Sequence, residues 1–186
     1  MTSRCILQTA LLVYFSTTVL AVNYDLLRFQ LSSSSVECQN LLLQLNGTTK
    51  DCIKDRMNFK FPEEIEKPQQ VQKEALLLVT LDIFQKTSDI FRKNLSSTGW
   101  NEIIVNNLLE KIHWQIEHLE EILEKIKEEE NFTWDDRTLL PLKRYYLRIV
   151  RYLKAKVYSI CAWKIVRAEM LRSFFFLDKF TNYLPN

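Results

Sequence analysis

Between Val105 and Ile126 the apolar residues Val105, Leu108, Ile112, Ile116, Leu119, Leu123 and Ile126 recur in steps of 3, 4, 4, 3, 4 and 3. A helix turning ~100° per residue keeps all of them on one side, whereas a strand, alternating with period two, scatters them. Neither Gly nor Pro interrupts the run. So long an amphipathic helix requires other apolar surfaces to cover its stripe, and the simplest source is more helices.

The rest of the chain supplies them. Leu27, Leu31, Ser34, Cys38, Leu41 and Leu45 predict a helix over about Tyr24–Leu45, ended by Asn46-Gly47. Its Ser32–Ser35 run is a poor helix former and needs packing to persist. Leu77, Leu81, Phe84 and Phe91, widened by Leu76, Val79, Ile83 and Ile90, predict a second over Lys73–Lys93. The long third helix spans Trp100–Lys127, with Thr98 or Ser97 as its cap. A fourth starts near Leu139, with Pro141 in its first turn, and carries Leu142, Tyr146, Ile149, Leu153 and Val157. After a joint at Tyr158-Ser159, Trp163, Val166, Met170, Phe174 and Leu177 mark the fifth. Two glycines and four prolines in the whole chain leave little turn chemistry for sheets. The expectation is an all-α bundle of five helices with one or two long crossovers. One crossover is Asn46–Gln72, which lets consecutive helices run parallel.

Residues 1–21 read as a secretory signal: Arg4, the mostly apolar Cys5–Tyr14, then Val19-Leu20-Ala21 before a cleavage point. Ser16-Thr17-Thr18 stops that run short of the ~20 apolar residues a membrane span needs. The expected product is a secreted domain, residues 22–186, carrying sequons at Asn46, Asn94 and Asn131 where the helical pattern lapses. Cys38, Cys52 and Cys161 allow three single bridges. Cys38 lies on a core stripe, Cys52 in a loop and Cys161 at a helix start, so the expected pair is Cys52–Cys161, with Cys38 a free buried thiol.

Charge is unevenly spread. Residues 22–136 hold 13 Lys and Arg against 21 Asp and Glu, whereas residues 137–186 hold 11 against 2. Such asymmetry fits helix-to-helix complementarity, an acidic partner, or both. The last helix has a second face, Lys164, Ala168, Leu171, Arg172 and Phe175, with Arg167 at its boundary. Cations mixed with uncovered apolar side chains suit a partner surface better than a solvated one. A Cys52–Cys161 bridge brings Ile53 and Arg56 beside it. Catalytic patterns are missing from the sequence. His113 and His118 are five apart, off the i, i+4 spacing of a helical metal pair, and the two glycines form no phosphate loop. No cofactor is expected. The basic last third lacks a nucleic-acid-reading motif, leaving weak glycosaminoglycan binding as its plainest polyanion chemistry. Phe174-Phe175-Phe176 point in different directions on a helix, which argues against membrane insertion.

Several segments resemble the type I interferons: Asp55-Arg56-Met57-Asn58-Phe59, Pro62-Glu63-Glu64-Ile65, Ser97-Thr98-Gly99-Trp100-Asn101, Leu142-Lys143-Arg144-Tyr145-Tyr146, Tyr152-Leu153-Lys154-Ala155-Lys156, Cys161-Ala162-Trp163 and the ending Tyr183-Leu184-Pro185-Asn186. Val22-Asn23-Tyr24 lacks the cysteine usual at the mature start of the alpha group, so the beta group is the nearer likeness. The resemblance implies a five-helix cytokine bundle, not an enzyme, that joins both chains of the interferon alpha/beta receptor and so triggers Janus kinase and STAT signalling. It supports the Cys52–Cys161 bridge. It also implies that Ile53, Arg56, Arg167, Ala168, Leu171, Arg172 and Phe175 meet the high-affinity chain. Lys143 is the matching position for the low-affinity chain, on the side of the second to fourth helices. The sequon that beta interferons often carry at the Trp-Asn position is absent, because Asn101-Glu102-Ile103 lacks the hydroxyl residue.

Overall fold

A computed structural model describes residues 23–62, 65, 73–93, 95–130 and 139–184. The proposed signal segment, Asn94, Asn131 and the second part of the long crossover lie outside the described residues. Among the described residues, the long helices in chain order are α1 (Tyr24–Gln44), α2 (Lys73–Phe91), α3 (Glu102–Glu130), α4 (Leu140–Ala155) and α5 (Ile160–Thr181). A 3₁₀ turn, Lys50–Asp55, interrupts the crossover after α1, and no strand occurs among the described residues.

Paired contacts give the helix directions. Along α1, Ser32 meets Asp178, Ser35 meets the Phe174 carbonyl and Arg167 meets the Leu42 carbonyl, so α1 and α5 are antiparallel. On α2, Phe84 packs on Phe174, Thr87 reaches Met170 and Phe91 packs on Trp163, again antiparallel to α5. The consecutive helices α1 and α2 therefore run parallel, as the crossover length predicts. Gln30 with His118, Ser34 with Gln115 and Glu37 with Lys111 set α3 antiparallel to α1. The short joint after Ala155 turns α4 back against α5.

The stripes pack as their spacing requires. Leu27, Leu31, Phe84, Leu108, Ile112, Leu119, Leu142, Ile149, Trp163, Met170 and Phe174 are all buried in one core. Burying a large apolar side chain contributes about 1.5–3 kcal/mol, against about 0–1 for an exposed ion pair such as Lys125–Glu121, so the core decides the fold. The weak serine run in α1 is held by packing: Ser32 donates to Asp178, Ser34 accepts from Gln115 and Ser35 donates to Phe174. α1 is also apolar on its outer side, where Leu26, Phe29, Val36 and Leu43 are exposed.

Two local expectations are corrected. Asn101, not Thr98 or Ser97, caps α3, its Oδ1 accepting from the Ile103 amide at 2.9 Å. Ser97 instead donates to the Tyr158 carbonyl. Val157 is 82 % exposed rather than core, because α4 ends at Ala155 and the chain turns through positive φ at Val157 and Tyr158. Ser159 then caps α5. The Cys52–Cys161 disulfide forms and Cys38 is free and buried. Burial, with the charge of Glu37, pushes the Cys38 thiol up to about 12, so it packs as a small neutral group.

Candidate interaction surface on the last helix and the crossover

α5 divides as its sequence predicts. Trp163, Val166, Met170, Phe174 and Leu177 are inside, while Ala168, Arg172 and Phe175 are exposed and Lys164 and Leu171 half-buried. The disulfide brings the 3₁₀ turn against this helix, with the Cys52 and Cys161 Cα atoms 5.3 Å apart. Cys52 itself is buried, which leaves Ile53 64 % exposed and Arg56 exposed beside α5. Ile53 and Arg56 thus lie on a crossover turn pinned at the start of α5, and Ala168, Leu171, Arg172 and Phe175 lie further along that helix, so the disulfide couples two segments that carry apolar and cationic side chains.

More than a disulfide holds the crossover down. Tyr152 of α4 donates its hydroxyl to the Asp55 carbonyl at 2.8 Å, and Lys156 pairs with the Asp55 carboxylate at 2.7 Å. Burial, with the Asp55 charge, pushes the Tyr152 phenol up to about 12, so it remains a donor. Arg148 donates Nε to the Phe59 carbonyl and Nη2 to that of Lys60. Phe59 packs edge-on against Tyr152, and Phe61 stacks on Phe176 with centroids 4.5 Å apart. Arg172 lies over both Phe61 and Phe176, 5.6 and 5.5 Å from their centroids, with Glu169 3.8 Å away. Its guanidinium is pre-oriented rather than loose, an arrangement that lowers the entropy lost on binding a carboxylate. Lys179 covers the Phe175 ring at 4.9 Å.

Arg167 differs from the other predicted surface residues. Only 8 % exposed, it points inward and donates Nη1 to the carbonyls of Leu42 and Leu45 at 3.0 and 2.6 Å. Nη2 donates to the Gly47 carbonyl at 2.5 Å. Burial lowers its pKa. α1 has no basic residue in its last turn, so its terminal carbonyls take a cation from α5. Trp100 completes the end by donating Nε1 to the Asn46 carbonyl at 2.9 Å. Gly47 adopts φ +121°, and a Cβ there meets the Lys164 side chain at 2.6 Å.

The sequence reasoning missed the residues that fix the surface: Phe59, Phe61, Arg148 and Tyr152. A signal for two of them exists. Phe59 and Phe61 alternate with polar Asn58 and Lys60, the period of an extended segment with one buried side. Lys143 stands apart, exposed on α4. It rims a groove of about 220 Å³ between α2 and α4, with Lys86 and Lys93 on the edge and Ile90, Tyr146, Leu147 and Val150 among its lining. His113 and Trp114 line a different groove, between α1 and α3, beside Glu37 and Leu41. Asn46 is exposed, while the other two sequon asparagines are outside the described residues.

An interferon alpha/beta domain model matches residues 27–184. The chain is similar to interferon beta of Felis catus, 65 % identical over 186 residues, and of Equus caballus, 58 % identical over 186, with full coverage of both chains in each case. Interferon beta of Homo sapiens is 54 % identical over 187 residues, again across the whole of both chains.

Proposed function

Because the chain belongs to the type I interferon family, among the beta interferons, and is a cytokine rather than an enzyme, we propose that it bridges the two chains of the interferon alpha/beta receptor. Bridging brings receptor-bound Janus kinases together and starts STAT-driven antiviral transcription. Secretion follows removal of residues 1–21, and the product carries glycans at Asn46, Asn94 and Asn131. The high-affinity chain binds the surface of Ile53, Arg56, Ala168, Leu171, Arg172 and Phe175, with Arg167 behind it. The observation that carries this reading is the apolar and cationic composite, held by a disulfide and aromatic stacking on a chain of this family. Exposed apolar anchors exclude water around pre-oriented cations, the composition of a binding hot spot.

The low-affinity chain binds across α2 and α4, with Lys143 as a contact. The groove there, apolar inside and rimmed by Lys86, Lys93 and Lys143 with Asp89 beside Lys86, keeps a net positive rim that supports an acidic, apolar-tipped partner segment. Exposed Lys143, Arg144, Arg151, Lys154 and Lys156 on and beside α4 support weak glycosaminoglycan binding in addition. Among the described residues, no helix is long and apolar enough to cross a membrane.

The purified mature chain, applied to cells carrying or lacking the receptor, tests the reading. STAT phosphorylation and an antiviral state are expected only in receptor-bearing cells. Equal responses in both lines overturn it.

A further inference from the structure

α1 ends without the means to satisfy its own carbonyls. The residue after its last, Leu45, is extended (φ −68°, ψ 119°), and the last turn contains no basic side chain. Four carbonyls there are nonetheless bonded: those of Leu42, Leu45 and Gly47 by Arg167, and that of Asn46 by Trp100. Arg suits this task because its planar guanidinium presents donors in a fixed fork, whereas an ammonium offers one compact point of charge. The carbonyl acceptors are backbone groups, so no single side-chain change on α1 replaces them.

Arg167 and Cys161 lie on the same helix, and they hold the same stretch of crossover at its two ends. Arg167 fixes residues up to Gly47, and Cys161 fixes Cys52. Between them the chain has only Thr48 to Asp51, with Thr48 accepting from the Lys50 amide. Gly47 is built into the clamp: its positive φ strains any residue with a Cβ, and such a Cβ also has to displace the Lys164 side chain lying across it. Ile53 and Arg56 follow directly, so their placement depends on both anchors.

We infer that Arg167 is a positioning residue, which sets the high-affinity surface by clamping the end of α1 and the start of the crossover and makes no receptor contact of its own. The inference rests on the receptor reading above, but it assigns Arg167 a different role from Arg172. Arg172 is exposed and faces outward over aromatic rings; Arg167 spends its donors on the protein's own backbone. Both terminal nitrogens are spent on carbonyls and Nε is buried without a partner among the described residues, so none of the three is presented to a binding partner.

The test uses the full mature glycoprotein and three variants, Arg167→Lys, Gly47→Ala and Arg172→Ala. Binding to the ectodomain of the high-affinity receptor chain is measured together with backbone amide exchange across residues 46–56. Arg167→Lys keeps the charge but loses the fork, and Gly47→Ala disturbs the acceptor end while keeping the Asn46 sequon. Both are expected to speed exchange in 46–56 and to weaken binding about tenfold, a change typical of losing hydrogen bonds to a charged group. Arg172→Ala is expected to weaken binding with exchange unchanged. Weakened binding by Arg167→Lys with exchange in 46–56 unchanged overturns the inference, since it marks a direct contact. So does a Gly47→Ala chain that binds and exchanges as the parent does, which keeps the test valid should Arg167→Lys fold poorly. If Arg172→Ala binds normally while Arg167→Lys still speeds exchange, the clamp stands and the receptor surface is misassigned.

Discussion

The α5–crossover surface and the α2–α4 groove are assembled by different means. The first joins residues more than a hundred positions apart and depends on a disulfide, a guanidinium clamp, a ring stack and hydrogen bonds from α4. The second lies on two helices whose own core stripes position it, with Lys143, Leu147 and Val150 along one face of α4. The carboxylates nearest them, half-buried Glu169 and buried Asp82, differ likewise. Glu169 accepts from the Tyr145 hydroxyl at 2.9 Å, whereas Asp82 is buried with Oδ2 unpartnered among the described residues. Loss of the staple is therefore expected to disturb the first surface as a unit, whereas a local change on the second is expected to stay local.

Removing the staple is the harshest way to break this contrast. The bridge closes a separation of 109 residues, for which the chain-entropy model gives about 4–5 kcal/mol. Cys52→Ser combined with Cys161→Ser is expected to lose about that much in denaturant unfolding and to lose most binding to the high-affinity chain. Cys38→Ser is expected to leave that binding intact. Equal loss of binding to both receptor chains by the paired variant, with the native fold retained, defeats the contrast.

Phe61→Ala comes next. Phe61 is buried, stacked on Phe176 and edge-on to Tyr145, and it supports the Arg172 guanidinium. A buried Phe truncated to Ala costs about 3–5 kcal/mol, and a site near the surface falls at the lower end. Thermal unfolding and high-affinity binding should fall together, with low-affinity binding unchanged. A variant that destabilises without weakening high-affinity binding separates Phe61 from the surface.

The helical architecture was legible because spacing reports on packing directly. Each stripe, from Leu27 to Leu177, needs only a period and a core to become buried. The parallel course of α1 and α2 was legible too, from the length of the crossover. What failed was local or long-range. Asn101 took the cap from Thr98 because both residue types accept amide hydrogen bonds, and position alone separates them. Val157 continued the α4 pattern by one residue past the turn that ends it. Arg167 sits near the polar face by angle, yet reaches inward to carbonyls 120 or more residues earlier, which no helical wheel records. The exposure of Ala168, Arg172 and Phe175 was legible because they fall in a sector beside the core stripe of α5. The residues that brace them act through the fold.

A smaller effect probes the groove. Lys143→Glu reverses one exposed charge on its rim without touching the core. Low-affinity binding is expected to weaken several-fold, about 1 kcal/mol, mostly through slower association, while high-affinity binding stays within error and stability at neutral pH falls slightly, because Lys143 also favours the buried Asp82 carboxylate. Unchanged low-affinity binding removes Lys143 from that contact.

The smallest effect concerns Asp82 in α2. Burial raises its pKa above the ordinary 3.8; Lys86 and Lys143 pull it back down, and Asp89 adds to the rise. The Tyr146 phenol, itself raised mainly by burial, faces the same interior. A raised folded pKa means that the native state binds the proton more tightly than the unfolded chain. The resulting stability is fully present below about 3.8 and is lost as pH rises through the raised value, leaving a charge-burial penalty at neutral pH. Asp82→Asn removes that penalty. Its melting temperature should exceed the parent's by a few degrees at pH 7, on the order of 1 kcal/mol, and the difference should vanish below pH 3.8. Glu169→Gln is expected to gain less, because the Tyr145 hydrogen bond and the Arg172 charge already favour its ionised form. Equal gains for the two variants would show that the hydrogen bond to Glu169 does not offset its burial, and would remove the electrostatic part of the contrast between the two surfaces.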